Sequence, residues 1–405
     1  MASPFTPRAL EPRWLTLIDE VAARVLGPHD RRGRALAAEV RALSLAYTGR
    51  DASAPDAQKA GASMPAARMR FYLPRDLPKI EGPLAELGHL GALPDVPRWR
   101  VLDLGAGYGT TSLGIARLAQ RLGMEGIDVV AVERDAAALD GFAALSTAAA
   151  REGLIAPITL EVVRSDATAR GAQNHRCDLV AFGLSLGEMF RAEPDRDARE
   201  AAREQLVRSY ASGLAEGGAL IVLEPALRAS ARALSRMRDR IAADPGDDAL
   251  RVVAPCTHDG PCPMLARERD WCHAELAMEL APELAKIAEA AELRRSRLTY
   301  SYLALTRGAQ PPQGDVRWRI VAGPVASKGK REWDACGGTS DATGLVRLRR
   351  LERDMKKHPI ALDTARRGAL ARLGEAARVG ESLRVRSDDD CSIETEGSIV
   401  AAVRG

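Results

Sequence analysis

Nine residues constrain this chain most: Val101-Leu102-Asp103-Leu104-Gly105-Ala106-Gly107-Tyr108-Gly109, an apolar run that breaks into a turn with a glycine at every second position. Glycine adopts dihedrals closed to other residues and lets the backbone pass close beneath a ligand. The run before the turn reads as a buried strand, and TTSLGIARLAQRLG (110–123) after it carries helical periodicity. The alternation then continues. DVVAVERD (128–135), ITLEVVRSDA (158–167), CDLVAFGLSLGEM (177–189) and GGALIVLEP (217–225) read as strands, with a helix near 199–215 and a late strand at 298–308. Strand–helix alternation of this kind predicts an α/β fold with a parallel, doubly wound sheet.

The loop spacing is G-x-G-x-G rather than the dinucleotide pattern G-x-G-x-x-G. With its preceding acid it reads D-x-G-x-G-x-G, which resembles the class I S-adenosylmethionine-dependent methyltransferases. That resemblance implies that Asp103, Gly105, Gly107 and Gly109 face the methionine and ribose of the cofactor. Glu133, ending the second strand, would accept the ribose hydroxyls, and Asp166, ending the third, would contact adenine. A tight turn with surface acids and a nicotinamide site are the other readings of the loop. The methyl acceptor is not legible. Amino-methylating enzymes often carry Asn/Asp-Pro-Pro-Tyr after the fourth strand, where this chain has Gly183-Leu184-Ser185-Leu186-Gly187-Glu188. RNA cytosine-C5 chemistry needs a thiolate after strand four or five, but Cys177 precedes strand four and Glu224-Pro225 follow strand five. Glu188 is a general base, a ligand of the cofactor's amino group or an ordinary loop carboxylate. No residue is assigned as catalytic.

A second constellation is Pro255-Cys256-Thr257-His258-Asp259-Gly260-Pro261-Cys262-Pro263, followed by Asp270-Trp271-Cys272-His273, with Cys336 far downstream. Six cysteines in 405 residues are too sparse for a disulfide scaffold, so their grouping asks for another explanation. The Cys-x5-Cys-x9-Cys spacing is not that of a zinc ribbon, and thiolates on irregular loops suit a cubane iron–sulfur cluster. A zinc site using Cys256, Cys262, Cys272 and either His258 or His273 is the alternative, and free thiols are a third. Cys177 and Cys391 read as a core thiol and a surface thiol.

Taken with D-x-G-x-G-x-G and with Ser327-Lys328-Gly329-Lys330 before Cys336, these motifs resemble the methyltransferase-like assembly factors of the mitochondrial ribosomal small subunit and their bacterial relatives. The resemblance covers roughly 70–340. It implies a class I methyltransferase fold, binding to small-subunit rRNA, and a [4Fe–4S] cluster on Cys256, Cys262, Cys272 and Cys336. Zn2+ remains the alternative metal. Three functions follow: an rRNA methyltransferase-like protein, a non-catalytic rRNA-binding assembly factor, or a small-molecule methyltransferase.

The flanks are read from composition and periodicity. Residues 1–90 form a helical segment, with amphipathic stretches at 13–26 and 34–47, a polar loop at 51–65, and prolines that break any long helix at 71–80. Residues 91–310 form the S-adenosylmethionine-binding domain, with the Cys-rich insertion at 254–274. Residues 311–405 read as a small basic β-rich domain with a hairpin turning near Ser327–Gly329. Its stretch 317–357 carries eleven basic residues against five acids, with Trp318 and Trp333 among them. Charges can neutralise phosphates and exposed aromatics can stack on bases; the other reading is that both tryptophans are core and the charges solvate a hairpin. Arg228, Arg232, Arg236 and Arg240 stand four apart and form a second basic stripe on a helix. The whole chain is nearly balanced, 58 basic against 55 acidic, which excludes a histone-like polycation. The N-terminus lacks the apolar core of a secretory signal and no apolar run spans a bilayer, so a cytoplasmic protein with no membrane partner is expected.

Overall fold

The computed structural model describes residues 5–48, 61–170, 176–247, 249–293, 297–308, 316–339, 342–374, 377–379 and 382–395. The chain divides into two compact units. The first comprises Met1–Glu224, Leu276–Leu298 and Val400–Gly405, and the second Pro225–Glu275 and Thr299–Ile399.

Five parallel strands organise the first unit: β1 (Arg98–Leu104), β2 (Gly126–Glu133), β3 (Ile158–Arg164), β4 (Cys177–Gly183) and β5 (Leu214–Pro225). Their order is β3-β2-β1-β4-β5. The connections therefore run outward in opposite directions from β1 and β4. That reversal leaves a crevice at the carboxyl ends of these two strands, where ligands bind in doubly wound sheets. The pairing is in register: Val101 lies beside Leu179 in β4, and Leu104 beside Val132 in β2. Asp103 sits between Ala131 and Ala181, so neither neighbouring strand crowds its side chain.

The N-terminal helices belong to this unit. In α1 (Pro12–Val25), Trp14, Leu17, Ile18 and Val21 are buried, the i, i+3, i+4, i+7 face of an amphipathic helix. α2 (Gly33–Thr48) buries Leu36, Val40 and Leu43 in the same way. The loop expected at 51–65 lies mostly outside the described residues, and 61–63 are helical. Residues 65–80 are a succession of short α, π and 3-10 turns, as the prolines require, leading into α3 (Glu81–His89). Buried ion groups hold these pieces to the sheet layer. Glu81, fully buried, accepts from Arg117 on α4 (Thr110–Arg121) and from Arg121 at 3.0 Å. Arg117 also reaches Glu11. α5 (Ala136–Arg151), α6 (Arg196–Ala211) and, later in the chain, α8 (Pro282–Ala290) complete the unit.

The second unit opens with α7 (Arg228–Ala243) and β6 (Leu250–Ala254), then the cysteine loops, β7 (Ala274–Leu276) and β8 (Leu298–Arg307). β6 and β8 pair antiparallel. The expected hairpin is β9 (Arg317–Ser327) and β10 (Lys330–Thr339), with Ser327 opposite Lys330 across the turn. It continues into β11 (Ala342–Leu351), β12 (Leu370–Leu373), β13 (Ala377–Val379), β14 (Ser382–Arg384) and β15 (Cys391–Thr395). These seven strands form one sheet in the order β13-β14-β11-β10-β9-β12-β15. Its core is Ile320, Trp333, Leu348, Leu362, Val385 and Cys391. The strands expected beyond 395 lie outside the described residues. Cys391, read from sequence as a surface thiol, is instead fully buried in this core, and burial pushes its thiol up to about 12.

Candidate functional site

At the mouth of the parallel sheet the backbone follows the sequence closely. Gly105, Gly107 and Gly109 have φ of +76°, +55° and +78°, the left-handed region that other residues occupy at a cost. The carboxylate below them is Asp103, fully buried. Its Oδ2 accepts from the Ser112 hydroxyl at 2.6 Å and the Ser112 amide at 3.3 Å. Its Oδ1 is buried with no hydrogen-bond partner. Burial pushes the carboxyl up to about 6, and the Ser112 bonds only partly counter it. An orphaned buried acceptor beneath a glycine loop is a place where a ligand's donor belongs.

Glu133 is bound to the same loop. Its Oε2 accepts from Gly107 N at 3.0 Å, and its Oε1 accepts from the amides of Arg134 at 2.7 Å and Asp135 at 3.0 Å. A carboxylate has roughly four acceptor positions, so two ribose hydroxyls could both bind only if an amide let go. Asp166 stands further out. Its Oδ1 accepts from the Thr168 amide and hydroxyl, both at 2.8 Å, and its Oδ2 from Arg134 at 3.2 Å. Burial raises its pKa, but these bonds and the Arg134 charge outweigh it, and the carboxyl ends below the usual range. All six expected residues therefore lie on the β1, β2 and β3 ends of one sheet.

Sequence reasoning missed the residues that close this mouth. Arg68, from the N-terminal turns, pairs with Asp135 at 2.6 Å and lies over the Tyr108 ring at 5.1 Å. Its guanidinium is 3.1 Å from where a Gly107 Cβ would stand. After β4, the Ser185 hydroxyl donates to Leu104 O at 2.6 Å, and the flanking Leu184 and Phe190 hold φ of +63° and +56°. Strain of this kind persists only where surrounding structure enforces it. Glu224, ending β5, is buried and accepts from Gly187 N at 2.7 Å. Burial and the nearby Glu188 push it up to about 7, against the pull of the Gly187 amide and Arg203. Arg203 in turn donates to Gly187 O at 2.6 Å and Met189 O at 2.9 Å. None of these residues sits in a motif; only the fold gathers them.

The cysteine loops form a separate site within the second unit. Burial weakens the acidity of each thiol: Cys262 is pushed to about 11 and Cys272 to about 12, with neighbouring thiols adding to it, and Cys336 feels Cys256, Cys272 and Cys262 together, whereas Arg238 and Arg319 partly counter it at Cys256. The four thiols therefore lie within electrostatic reach of one another. No three His, Cys, Asp or Glu side chains among the described residues close on a single point as ligands of one ion. His258 is buried, and its Nδ1 lies 3.0 Å from Gly260 O. A carbonyl only accepts, so Nδ1 carries the proton and Nε2 accepts, with Cys336 Sγ at 3.6 Å. Two arginines of α7 hold these loops. Arg232 donates to the carbonyls of Met264, Leu265, Arg267 and Asp270, and Arg238 to that of Gly260. Of the Arg stripe on α7, Arg232 is a clamp for residues 264–270.

The basic C-terminal stretch also needs correction. Trp333 is core, its indole N–H donating to Ala365 O at 3.3 Å, so it has no face for a base to stack on. Trp318 packs partly buried against the same core. Arg350 is fully buried on Asp363. Glu332 holds Lys330 and Arg349, both at 2.9 Å, and Asp334 holds Arg347 at 2.9 Å. Lys328, Lys356 and Lys357 remain as exposed cations without an ion pair among the described residues. No described helix is long and apolar enough to cross a membrane.

The strand order β3-β2-β1-β4-β5 with the glycine loop at the switch point defines a class I S-adenosylmethionine-dependent methyltransferase-like fold. Residues 93–367 match the family described as mitochondrial small ribosomal subunit Rsm22, and the chain belongs to that family. No curated protein matches in sequence. Among solved structures, a Listeria monocytogenes protein assigned to the class I S-adenosylmethionine-dependent methyltransferases shares 12% identity, with 74% of this chain and 90% of that chain covered and a TM-score of 0.35. Magnesium protoporphyrin IX methyltransferase of Synechocystis shares 13%, covering 58% and 84%, at a TM-score of 0.31. The T. thermophilus 16S rRNA N2 G1207 methyltransferase shares 20%, covering 45% and 40%, at 0.27. Likenesses this distant carry no functional argument, and the fold assignment rests on the strand order.

Proposed function

We propose that this protein is an S-adenosylmethionine-dependent methyltransferase acting on the rRNA of the small ribosomal subunit, and that Cys256, Cys262, Cys272 and Cys336 hold a [4Fe–4S] cluster. The observation that carries the first half is the buried, unpartnered Oδ1 of Asp103 beneath three left-handed glycines, in a chain of a small-subunit family. The bound cofactor would supply a methyl group made electrophilic by its sulfonium. The chain's own residues do the rest. Gly105–Gly109 let the ligand lie against bare backbone, and Asp103 offers an acceptor to an ammonium. Arg68 is the cation at the loop for a carboxylate. Glu133 exchanges loop amides for ribose hydroxyls, and Asp166 offers its carboxylate to an exocyclic amine. Beyond β4, Glu224 titrates near neutrality, so it can hold or release a proton beside Gly187. No residue is assigned as catalytic.

One observation supports the cluster: the four thiols stand within mutual electrostatic reach, on the loops and strand of one unit. The cluster's role here is structural, tying the insertion to β10. Iron, sulfide and zinc analysis of anaerobically purified protein tests this. About four irons and four sulfides per chain, with broad visible absorbance lost in Cys336→Ser, supports it. A colourless protein with about one zinc overturns it.

One observation favours a second reading, a binding factor without methyl transfer: the loop after β4 offers neither an Asn/Asp-Pro-Pro-Tyr motif nor a thiol. A small-molecule methyltransferase, the third, predicts no affinity for rRNA. We place the protein in the cytoplasm, although the family description names the mitochondrion; fractionation of the source cell separates the two.

A further inference from the structure

Four thiolates in a buried pocket are costly unless fixed positive charge compensates them. Three arginines act on these thiols. Arg367 reaches Cys272, and Arg319, held by the carbonyls of Pro255 and Gly368, reaches Cys256 and Cys272. Arg238 is the most deeply buried of the three. It is 2% exposed, it hydrogen-bonds the Cys256 thiol, and its charge also reaches Cys262 and Cys336. One edge of its guanidinium is anchored to Gly260 O and to Asp239 at 2.9 Å, while its Nε–H is buried with no hydrogen-bond partner. Asp239 is a partial counter-ion only. Its side chain is 24% exposed, and its oxygens also accept from Cys262 N at 3.1 and 3.0 Å. The cation therefore lies deeper than its anion.

We propose that Arg238 is the fixed cation that sets the reduction potential of the thiolate-held cluster, through its charge and its unpartnered Nε–H. Asp239 opposes it from the solvent side. Reduction adds one electron and one negative charge, with no bond made or broken. A buried cation favours the reduced form, and a nearby carboxylate disfavours it. This inference rests on the iron–sulfur reading above.

The test is a redox titration of the full chain with dithionite as the one-electron reductant, followed by electron paramagnetic resonance, for wild type, Arg238→Gln, Arg238→Lys and Asp239→Asn. Iron and sulfide content is measured on each sample. At the wild-type midpoint, Arg238→Gln should lower the reduced-to-oxidised ratio at least tenfold, about 59 mV for one electron. Arg238→Lys should lower it less, and Asp239→Asn should raise it. Should Arg238→Gln fail to load iron, Arg238→Lys and Asp239→Asn decide the question. Asn keeps a carbonyl for the Cys262 amide, so Asp239→Asn changes charge rather than the loop. Wild type without iron overturns the iron–sulfur reading itself. Iron-loaded variants whose ratios stay within twofold of wild type, or an Asp239→Asn shift in the same direction as Arg238→Gln, overturn the role of Arg238.

Discussion

Gly107→Ala separates cofactor binding from folding. Gly107 has φ +55°, where an alanine costs about 1–2 kcal/mol. The nearest atom to its added methyl is Arg68 Nη2 at 3.1 Å, the far end of a flexible side chain. No packed atom is displaced, so the loss of stability should stay near that figure. The methyl would nevertheless stand on the surface where the ligand must meet bare backbone, and against the cation proposed for its carboxylate. Calorimetric titration with S-adenosylmethionine should show at least a tenfold weaker Kd, about 1.4 kcal/mol. Gly109→Ala is the contrast. Its methyl would overlap the Phe142 ring, which is fully buried, so it should lose stability by about 1–3 kcal/mol beyond the backbone cost. A folded Gly107→Ala protein that binds S-adenosylmethionine within twofold of wild type would refute the placement of the cofactor on this loop.

Other perturbations test other parts. Asp103 is raised from 3.8 to about 6, so its ionisation opposes folding: its favourable contribution is full below about pH 3.8 and is lost as pH rises through about 6. The stability difference between Asp103→Asn and wild type, followed by urea unfolding without cofactor, should therefore move in the variant's favour by up to ~3 kcal/mol between pH 4 and 7; a flat difference contradicts the burial argument. Arg232→Ala should cost about 2–3 kcal/mol and speed hydrogen exchange across 264–270, since one guanidinium holds four carbonyls there. Replacing Lys328, Lys356 and Lys357 by alanine should reduce the salt dependence of rRNA binding by roughly 0.7–0.9 in log–log slope for each phosphate no longer neutralised. Lys330→Ala, already paired with Glu332, should change it less.

The sheet and its glycine loop were legible because their signals are local. An apolar run before Gly105 and an amphipathic helix after Gly109 fix strand, turn and helix within a single short stretch. Asp103, Glu133 and Asp166 were named because each stands at the end of a strand in the pattern that the resemblance supplies. Arg68 belongs to no spacing pattern and meets the loop only through contacts that folding creates, and Glu224, although it ends β5, was noted only as standing where a thiol would be needed. The basic residues show the opposite failure. Counting charges at 317–357 could not tell Lys328, exposed, from Arg347 and Arg349, which β-sheet register sets opposite Asp334 and Glu332, or from Arg350, buried on Asp363 of a later turn. Cys391 was misjudged and Trp333 left open because a strand's two faces alternate, and sequence alone did not say which one covers a core. On α7, Arg232 resembled its neighbours in the stripe until the 264–270 carbonyls were seen around it.

The measurement that tests the central claim most directly is transfer of a labelled methyl group from S-adenosylmethionine to immature small ribosomal subunits, with Gly107→Ala as the control. We expect label in the small-subunit rRNA with wild type and at least tenfold less with the variant. Wild-type protein that binds both cofactor and subunit, yet leaves the rRNA unlabelled at every assembly stage, would contradict methyl transfer and leave a binding factor in its place.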